Sequence, residues 1–151
     1  MISIKEVNMK VVKADRKDLI DKAFEIREEV FVVEQQVDPT EEFDEFENDS
    51  IHFVALDEAS NPIGAARWRE TEKGLKLERF AVQSGWRGKG VGSALVNAVL
   101  KDIKATKGTG NLLYMHAQLE AIPLYEKFGF YKVGDIFLEC NIQHYQMVLN
   151  N

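Results

Sequence analysis

Apolar and polar positions change period several times along the chain, and each change marks an element. Residues 9–13 read as a short first strand. From Asp18, apolar residues at Leu19, Ala23, Ile26 and Val30, with Ile20, Phe24 and Phe31 beside them, follow the helical period. The β-rich stretch 30–33 is expected to end that helix ahead of an acidic loop. Residues 51–56 predict a strand, Asn61-Pro62 a turn and residues 63–68 the next strand. Residues 75–82 alternate, with Leu75, Leu77 and Ala81 on one side and Phe80 and Val82 on the other. Glycines at 85, 88, 90 and 92 then lead into an apolar helix over 91–106, with Leu95, Ala98, Val99 and Ile103 inward. Lys101, Lys104 and Lys107 suit the negative end of its dipole, and Gly108 stops it. Residues 112–116 predict a strand. Ala121, Leu124, Tyr125 and Phe128 make a second helical stripe, stopped by Gly129 in a left-handed cap. Residues 131–134 and 144–149 supply the last strands. This order predicts an α+β fold, a sheet with helices on its faces. No repeat or linker interrupts it, so residues 1–151 read as one domain.

Composition narrows the class. With 151 residues, 45% hydrophobic and 29% charged, the chain has an ordinary globular make-up, which excludes a disordered or fibrous protein. No apolar run approaches the ~20 residues of a membrane span. The segment 1–17 lacks the apolar block of a signal peptide. Cys140, the lone cysteine, excludes an internal disulfide or a thiolate metal cluster. A cytoplasmic protein with no membrane partner is expected. The net charge of −6 argues against a nucleic-acid partner, which needs a basic face. That charge is concentrated. Residues 38–49 hold seven carboxylates and no Lys or Arg, leaving 18 acids against 19 bases elsewhere. As a calcium loop the run fails, because Phe43 stands where a glycine is required. It reads as a solvated loop or as a device that draws a cationic amine.

The stretch from Phe80 through Ala81 and Val82 to Arg87, Gly88, Lys89, Gly90, Val91, Gly92 and Ser93 carries the most chemical information. A strand runs into a glycine-rich turn, and the turn opens a helix. Glycines let backbone approach a ligand, and a helix start offers unpaired N–H groups at a positive dipole end. Arg87 and Lys89 add cations, so a phosphate or pyrophosphate fits here. Gly88-Lys89 is followed by Gly90 and position 83 is Gln, so this is not the nucleotide-binding P-loop. The Gly-x-Gly-x-Gly spacing also misses the dinucleotide fingerprint.

Arg87-x-x-Gly90-x-Gly92 resembles the pyrophosphate-binding motif of the GCN5-related N-acetyltransferase (GNAT) family. Gln118-Leu119-Glu120-Ala121-Ile122-Pro123-Leu124-Tyr125-Glu126-Lys127-Phe128-Gly129-Phe130 is similar to that family's second hallmark, with Gln118 where Asn is usual. The stretch 29–37, His52-Phe53-Val54-Ala55, Ala66-Arg67-Trp68-Arg69, Glu78-Arg79-Phe80-Ala81-Val82 and His116-Ala117-Gln118 look like the ElaA/YjcF-like branch. The resemblance covers nearly the whole chain. It implies the GNAT fold, a mixed, mostly antiparallel twisted sheet of about six or seven strands with helices on both faces. It implies direct transfer from acetyl-CoA to a small-molecule or peptide amine, with no acyl-enzyme and no catalytic metal. A dimer is common in the family, but the sequence carries no interface signal.

By the same resemblance, the backbone of Phe80, Ala81 and Val82 pairs with the pantetheine arm, the segment from Arg87 to Ser93 holds the diphosphate, and Gln118 reaches toward the arm. Tyr125 matches the tyrosine that protonates the departing thiolate; a phenol of pKa about 10 suits a thiol near 8.5. Glu78, two residues before Phe80 and hence on the same strand face, is the candidate base; its alternative is a partner of Arg67. His52 and Arg67 are candidate substrate-binding groups on neighbouring strands. His116 reads as an internal histidine at a strand end, and His144 opens the last strand. The three histidines have no metal-ligand spacing. A non-catalytic acyl-CoA sensor is the competing class, which intact Tyr125 and Glu78 disfavour.

Overall fold

Strand alternation and helical stripes sort the apolar side chains onto the two faces of one sheet in the computed structural model, which describes residues 8–151. Residues 1–7, the start of the segment read above for a signal peptide, lie outside the described residues. Seven strands pair in the order β1-β2-β3-β4-β5-β7-β6. They are β1 (Met9–Lys13), β2 (Ile51–Asp57), β3 (Pro62–Glu70), β4 (Leu75–Val82), β5 (Leu112–Gln118), β6 (Tyr131–Glu139) and β7 (Ile142–Asn150). All neighbours are antiparallel except β4 and β5, which are parallel. Parallel neighbours need a crossover, and α3 (Val91–Lys107) makes it.

α3 lays Val91, Leu95, Val96, Val99 and Ile103 on one sheet face, against Phe53, Ala55, Ile63, Trp68, Leu77 and Leu113. Each such fully buried aliphatic stabilises by roughly 1.5–3 kcal/mol. α1 (Lys17–Arg27) covers the other face of the N-terminal half, with Leu19, Ala23 and Ile26 on Val54, Leu56, Ala65 and Ala81. Among the described residues no helix is long and apolar enough to cross a membrane.

Four local expectations need correction. The β-rich stretch 30–33 does not end the first helix; it continues it as a π-helical segment, Glu28–Glu34, because Val30 and Phe31 stay on the buried stripe. The acidic run is not a free loop but includes the short helix α2 (Pro39–Glu42), capped by Asp38. The stripe around Tyr125 yields only α4 (Ile122–Glu126), preceded by a 3₁₀ turn at Leu119–Ala121, while Gly129 does take the left-handed conformation at φ 95°. The last two strands are longer than expected and form a hairpin. Cys140 and Asn141, at φ 52° and 62°, make its tight turn of the primed type.

Candidate active site

The sheet opens between β4 and β5. The two strands pair only at Leu75–Leu113 and Lys76–Tyr114 and then part. On β4 the parting coincides with a bulge. Glu78 opposes Arg67 and Ala81 opposes Ala65, so Arg79 and Phe80 together face Ala66. Arg79 carries the strain at φ 61°. The extra residue reverses the side-chain phase. Leu75 and Leu77 point toward α3, and after the bulge Phe80 and Val82 do so while Ala81 joins the α1 face. Glu78 and Phe80 are therefore on opposite faces, correcting the alternation read from sequence. A cleft of about 490 Å³ runs through this gap, with Phe80, Ala121 and Tyr125 lining one side and Glu78, His116, Gln118 and His144 the other.

At the end of β4 the glycine turn leads to the start of α3, which no side chain caps. The first N–H groups of a helix have no intrahelical acceptor. Gly88 and Gly90 have φ of 76° and 87°, and among the described residues an added Cβ would meet nothing within 4 Å at Gly88 and only Met9 Cε at 3.9 Å at Gly90. Backbone donors with open space beside them fit a diphosphate. A Cβ at Gly92 would sit 3.1 Å from Leu124 Cδ2, so this glycine serves the contact of α3 with α4. Arg87 donates to Val82 O at 3.0 Å and pairs with Glu34 at 2.8 Å, and Lys89 lies over the Trp86 ring.

The opposite side holds a network of which the sequence reading offered only the Glu78–Arg67 pair. Arg27, fully buried between the rings of Phe24 and Phe43, pairs with Glu42 at 2.9 Å and Glu47 at 2.7 Å. Arg67, with no exposed surface, pairs with Asp44 at 2.8 Å, Glu47 at 2.7 Å and Glu78 at 2.6 Å. Arg79 reaches Glu42 at 3.3 Å and Asp44 at 3.0 Å. Three of the run's seven carboxylates, Glu42, Asp44 and Glu47, are thus paired with arginines and fasten residues 38–49 to α1, β3 and β4. An acid-only run in an otherwise balanced chain was the signal for this network.

These pairs reassign three sequence candidates. Burial alone would raise the Glu78 carboxyl, but Arg67, Lys76, Arg79 and Arg69 bring it to about 2. Such a carboxylate has little affinity for a proton at neutral pH, so the arrangement does not suit a base; Glu78 is the partner of Arg67. Arg67 is enclosed by its carboxylates and does not line the cleft, which removes it from substrate binding. His52 is also inside: its Nε2 lies 2.8 Å from Glu47 O, its ring packs edge-on to Phe24, and its Nδ1 is buried without a partner. Burial depresses its basicity.

Tyr125 and Gln118 do line the cleft. Tyr125 packs edge-on against Phe80 at 5.8 Å between ring centres. Burial pushes its phenol up, so it stays protonated at neutral pH. Gln118 exchanges amide hydrogen bonds with Gln35, at 2.8 and 3.2 Å, tying the end of β5 to the π-helical segment across the opening. His116, Glu139 and His144, to which no catalytic role was given, also face the cleft.

Comparison with known proteins decides what this architecture is. The family model of the acetyltransferase (GNAT) domain matches residues 14–151. The chain belongs to the GNAT family. It is an acetyltransferase of the ElaA/YjcF-like branch. It is 40% identical over 141 residues to the Bacillus subtilis protein named uncharacterized N-acetyltransferase YjcF, covering 93% of this chain and 99% of that one. Among solved structures, an acyl-CoA N-acyltransferase from Pseudomonas aeruginosa superposes with a TM-score of 0.79 at 26% identity, over 94% of this chain and 98% of that one. Escherichia coli ElaA, at 21% identity, shares the fold with a TM-score of 0.80 over 94% of this chain and 98% of that one. The GNAT fold expected from the motifs is the fold observed, with seven strands.

Proposed function

We propose that this GNAT protein transfers an acetyl group from acetyl-CoA directly to the nitrogen of a small-molecule or peptide amine. The observation that carries the reading is the opening between β4 and β5, which joins an apolar side at Tyr125 to a polar side across the sheet. Donor and acceptor then meet in the gap from opposite faces, and transfer needs no intermediate on the protein. When bound, the acyl-CoA supplies the activated carbonyl. The backbone of Phe80, Ala81 and Val82, beyond the last β4–β5 pair, would hold the pantetheine arm as an added strand, with Arg87 releasing Val82 O where the arm needs it. The N–H groups of the turn from Gly88 to Ser93, with Arg87 and Lys89, would hold the diphosphate. Tyr125, which lines the gap and stays protonated at neutral pH, would give the departing sulfur its proton. Gln118 must exchange Gln35 for the arm or hold both.

The test follows thiol release from acetyl-CoA across a panel of primary amines, beside thermal unfolding with and without coenzyme A. A ligand that binds the native state raises its melting temperature by mass action. Coenzyme A is expected to raise it, and Tyr125→Phe is expected to keep that rise while lowering kcat by about 10²–10⁴-fold, the usual worth of general acid catalysis. A chain that neither binds coenzyme A nor releases thiol with any amine overturns the reading.

A further inference from the structure

The network around Glu78 leaves the acceptor side without a base, yet two histidines stand on the cleft wall. We propose that His116 is the general base of the transfer, its imidazole oriented by Glu139. This rests on the acyl-transfer reading above.

The sheet itself assembles the group. On β5, Leu113, Met115 and Ala117 face α3, so His116 and Gln118 face the other way, into the cleft. β7 puts His144 opposite Gln118, and β6 puts Phe137 opposite His144, with Glu139 one step along on that same face. α1 lies over the N-terminal half of the sheet, and on the other half His116 and His144 line the cleft wall. His116 lies on the strand that borders the opening, and His144 lies one strand farther away.

The hydrogen bonds assign the protons. Glu139 Oε1 is 3.1 Å from His116 Nδ1, and that bond is the main influence lowering the Glu139 carboxyl. An ionised carboxylate only accepts, so Nδ1 carries the hydrogen and the lone pair of the neutral ring is on Nε2. This is the arrangement in which a carboxylate fixes the tautomer and steadies the imidazolium that forms. The ring is one quarter exposed, at 25% of its side chain, and is braced edge-on by Phe137 at 5.0 Å. His144 is differently held. Its Nδ1 donates to Ile142 O at 2.7 Å, its ring stacks on Phe137, and its Nε2 faces Glu139 Oε2 at 3.8 Å. With a side chain only 7% exposed, it is held by Ile142 and Phe137 and stands away from the opening. The other charged or titratable groups around the site are Arg69 on β3, Lys76, Glu78 and Arg79 on β4, Tyr114 on β5, Tyr125 on α4, Cys140 in the hairpin turn, and Glu41, Glu42 and Asp44 of the acidic segment, with Lys76 also acting on Glu139.

In the reaction an ammonium acceptor loses one proton to His116 Nε2, which passes it to solvent. The freed nitrogen lone pair forms the C–N bond to the carbonyl carbon, and the C–S bond breaks. Tyr125 protonates the sulfur and recovers its proton, through water, from the new amide nitrogen. One amide, one thiol and one released proton balance the ammonium and thioester consumed.

The experiment measures kcat/KM for the fastest amine of a panel (alkylamines, polyamines, amino acids and short peptides) against pH, at saturating acetyl-CoA, for the native protein and three variants. The native profile is expected to rise with pH through an acid limb. His116→Gln should lose that limb and about 10²–10³-fold of activity near neutral pH, recovering as the amine deprotonates unaided. Glu139→Gln should keep the limb but move it to lower pH, because the imidazolium loses its anionic neighbour; a merely structural carboxylate would leave it in place. His144→Gln should retain the limb. Thermal shifts with coenzyme A, unchanged in all three, show that the variants are folded and loaded. A limb that survives in His116→Gln, or vanishes only in His144→Gln, overturns the assignment while leaving acyl transfer standing. A native protein that binds coenzyme A but acts on no amine overturns transfer, and this assignment with it.

Discussion

Arg67 shows how a single buried charge is committed by its surroundings. Its guanidinium faces Asp44, Glu47 and Glu78 and has no exposed surface. Arg67→Met removes the cation and leaves buried carboxylates uncompensated, which is expected to cost about 3–5 kcal/mol, read from the urea midpoint at neutral pH. Glu78→Gln should likewise lower stability yet leave the acid limb of the rate profile where it was, since its carboxylate is already held near 2 by cations. His52 gives a different pH signature. Burial keeps it neutral in the folded state, whereas in the unfolded chain it gains a proton near pH 6.5. The unfolded state therefore binds more protons below that pH, and stability should fall as pH drops from 7 toward 5.5. In His52→Gln, which keeps a donor for Glu47 O, that part of the fall is expected to disappear from urea titrations.

At the scale of elements, the bulge in β4 and the start of α3 are the two ends of the ligand track proposed above. Without the extra residue at Arg79–Phe80, the strand would keep its phase and turn Phe80 away from Tyr125. The start of α3 is unusual in being capped by a left-handed glycine rather than by a side chain. Aspartate is a favoured cap at such a position in general. Here Gly90→Asp places a carboxylate where the diphosphate would sit, on a backbone at φ 87°. The expected outcome is a folded protein whose melting temperature no longer rises with coenzyme A. A rise equal to the native one would remove the turn from cofactor binding.

For the whole molecule, acid should undo the joint between the acidic segment and the sheet. Asp44 and Glu78 are held near 2 in spite of burial, and Glu47 is also lowered. Their stabilisation is fully present above the unfolded values near 4 and is lost as pH falls toward 2. Glu42 works in the opposite sense. Burial outweighs its arginines and raises its carboxyl, so it gains stability on protonation and offsets part of the loss. Urea midpoints measured from pH 6 down to 2.5 are expected to drop, with most of the change below pH 4.5. In an Asp44→Asn, Glu78→Gln double variant the native protein is weaker at pH 6 but the slope is shallower.

Most strands, both long helices and the glycine turn were legible because their signals are local: a period of two, a period of 3.6, and residues adjacent in the chain. The motif around Tyr125 was legible for the same reason, although its helix proved only five residues long. What stayed hidden depends on partners far apart in sequence. Arg27 meets Glu47 across 20 positions, Arg67 meets Asp44 across 23, and His116 meets Glu139 across 23. The hairpin through Cys140 and Asn141 lacked a glycine to announce it, so the register that puts Phe137 beside His144 was invisible. Sequence by itself determined the order of the strands and long helices, the GNAT kinship and the glycine turn that opens α3, since chain neighbours carry those. Tertiary structure alone decided which carboxylate is neutralised and which histidine is oriented, because Coulomb and hydrogen-bond energies depend on distances in space that only the strand order and the bulge define.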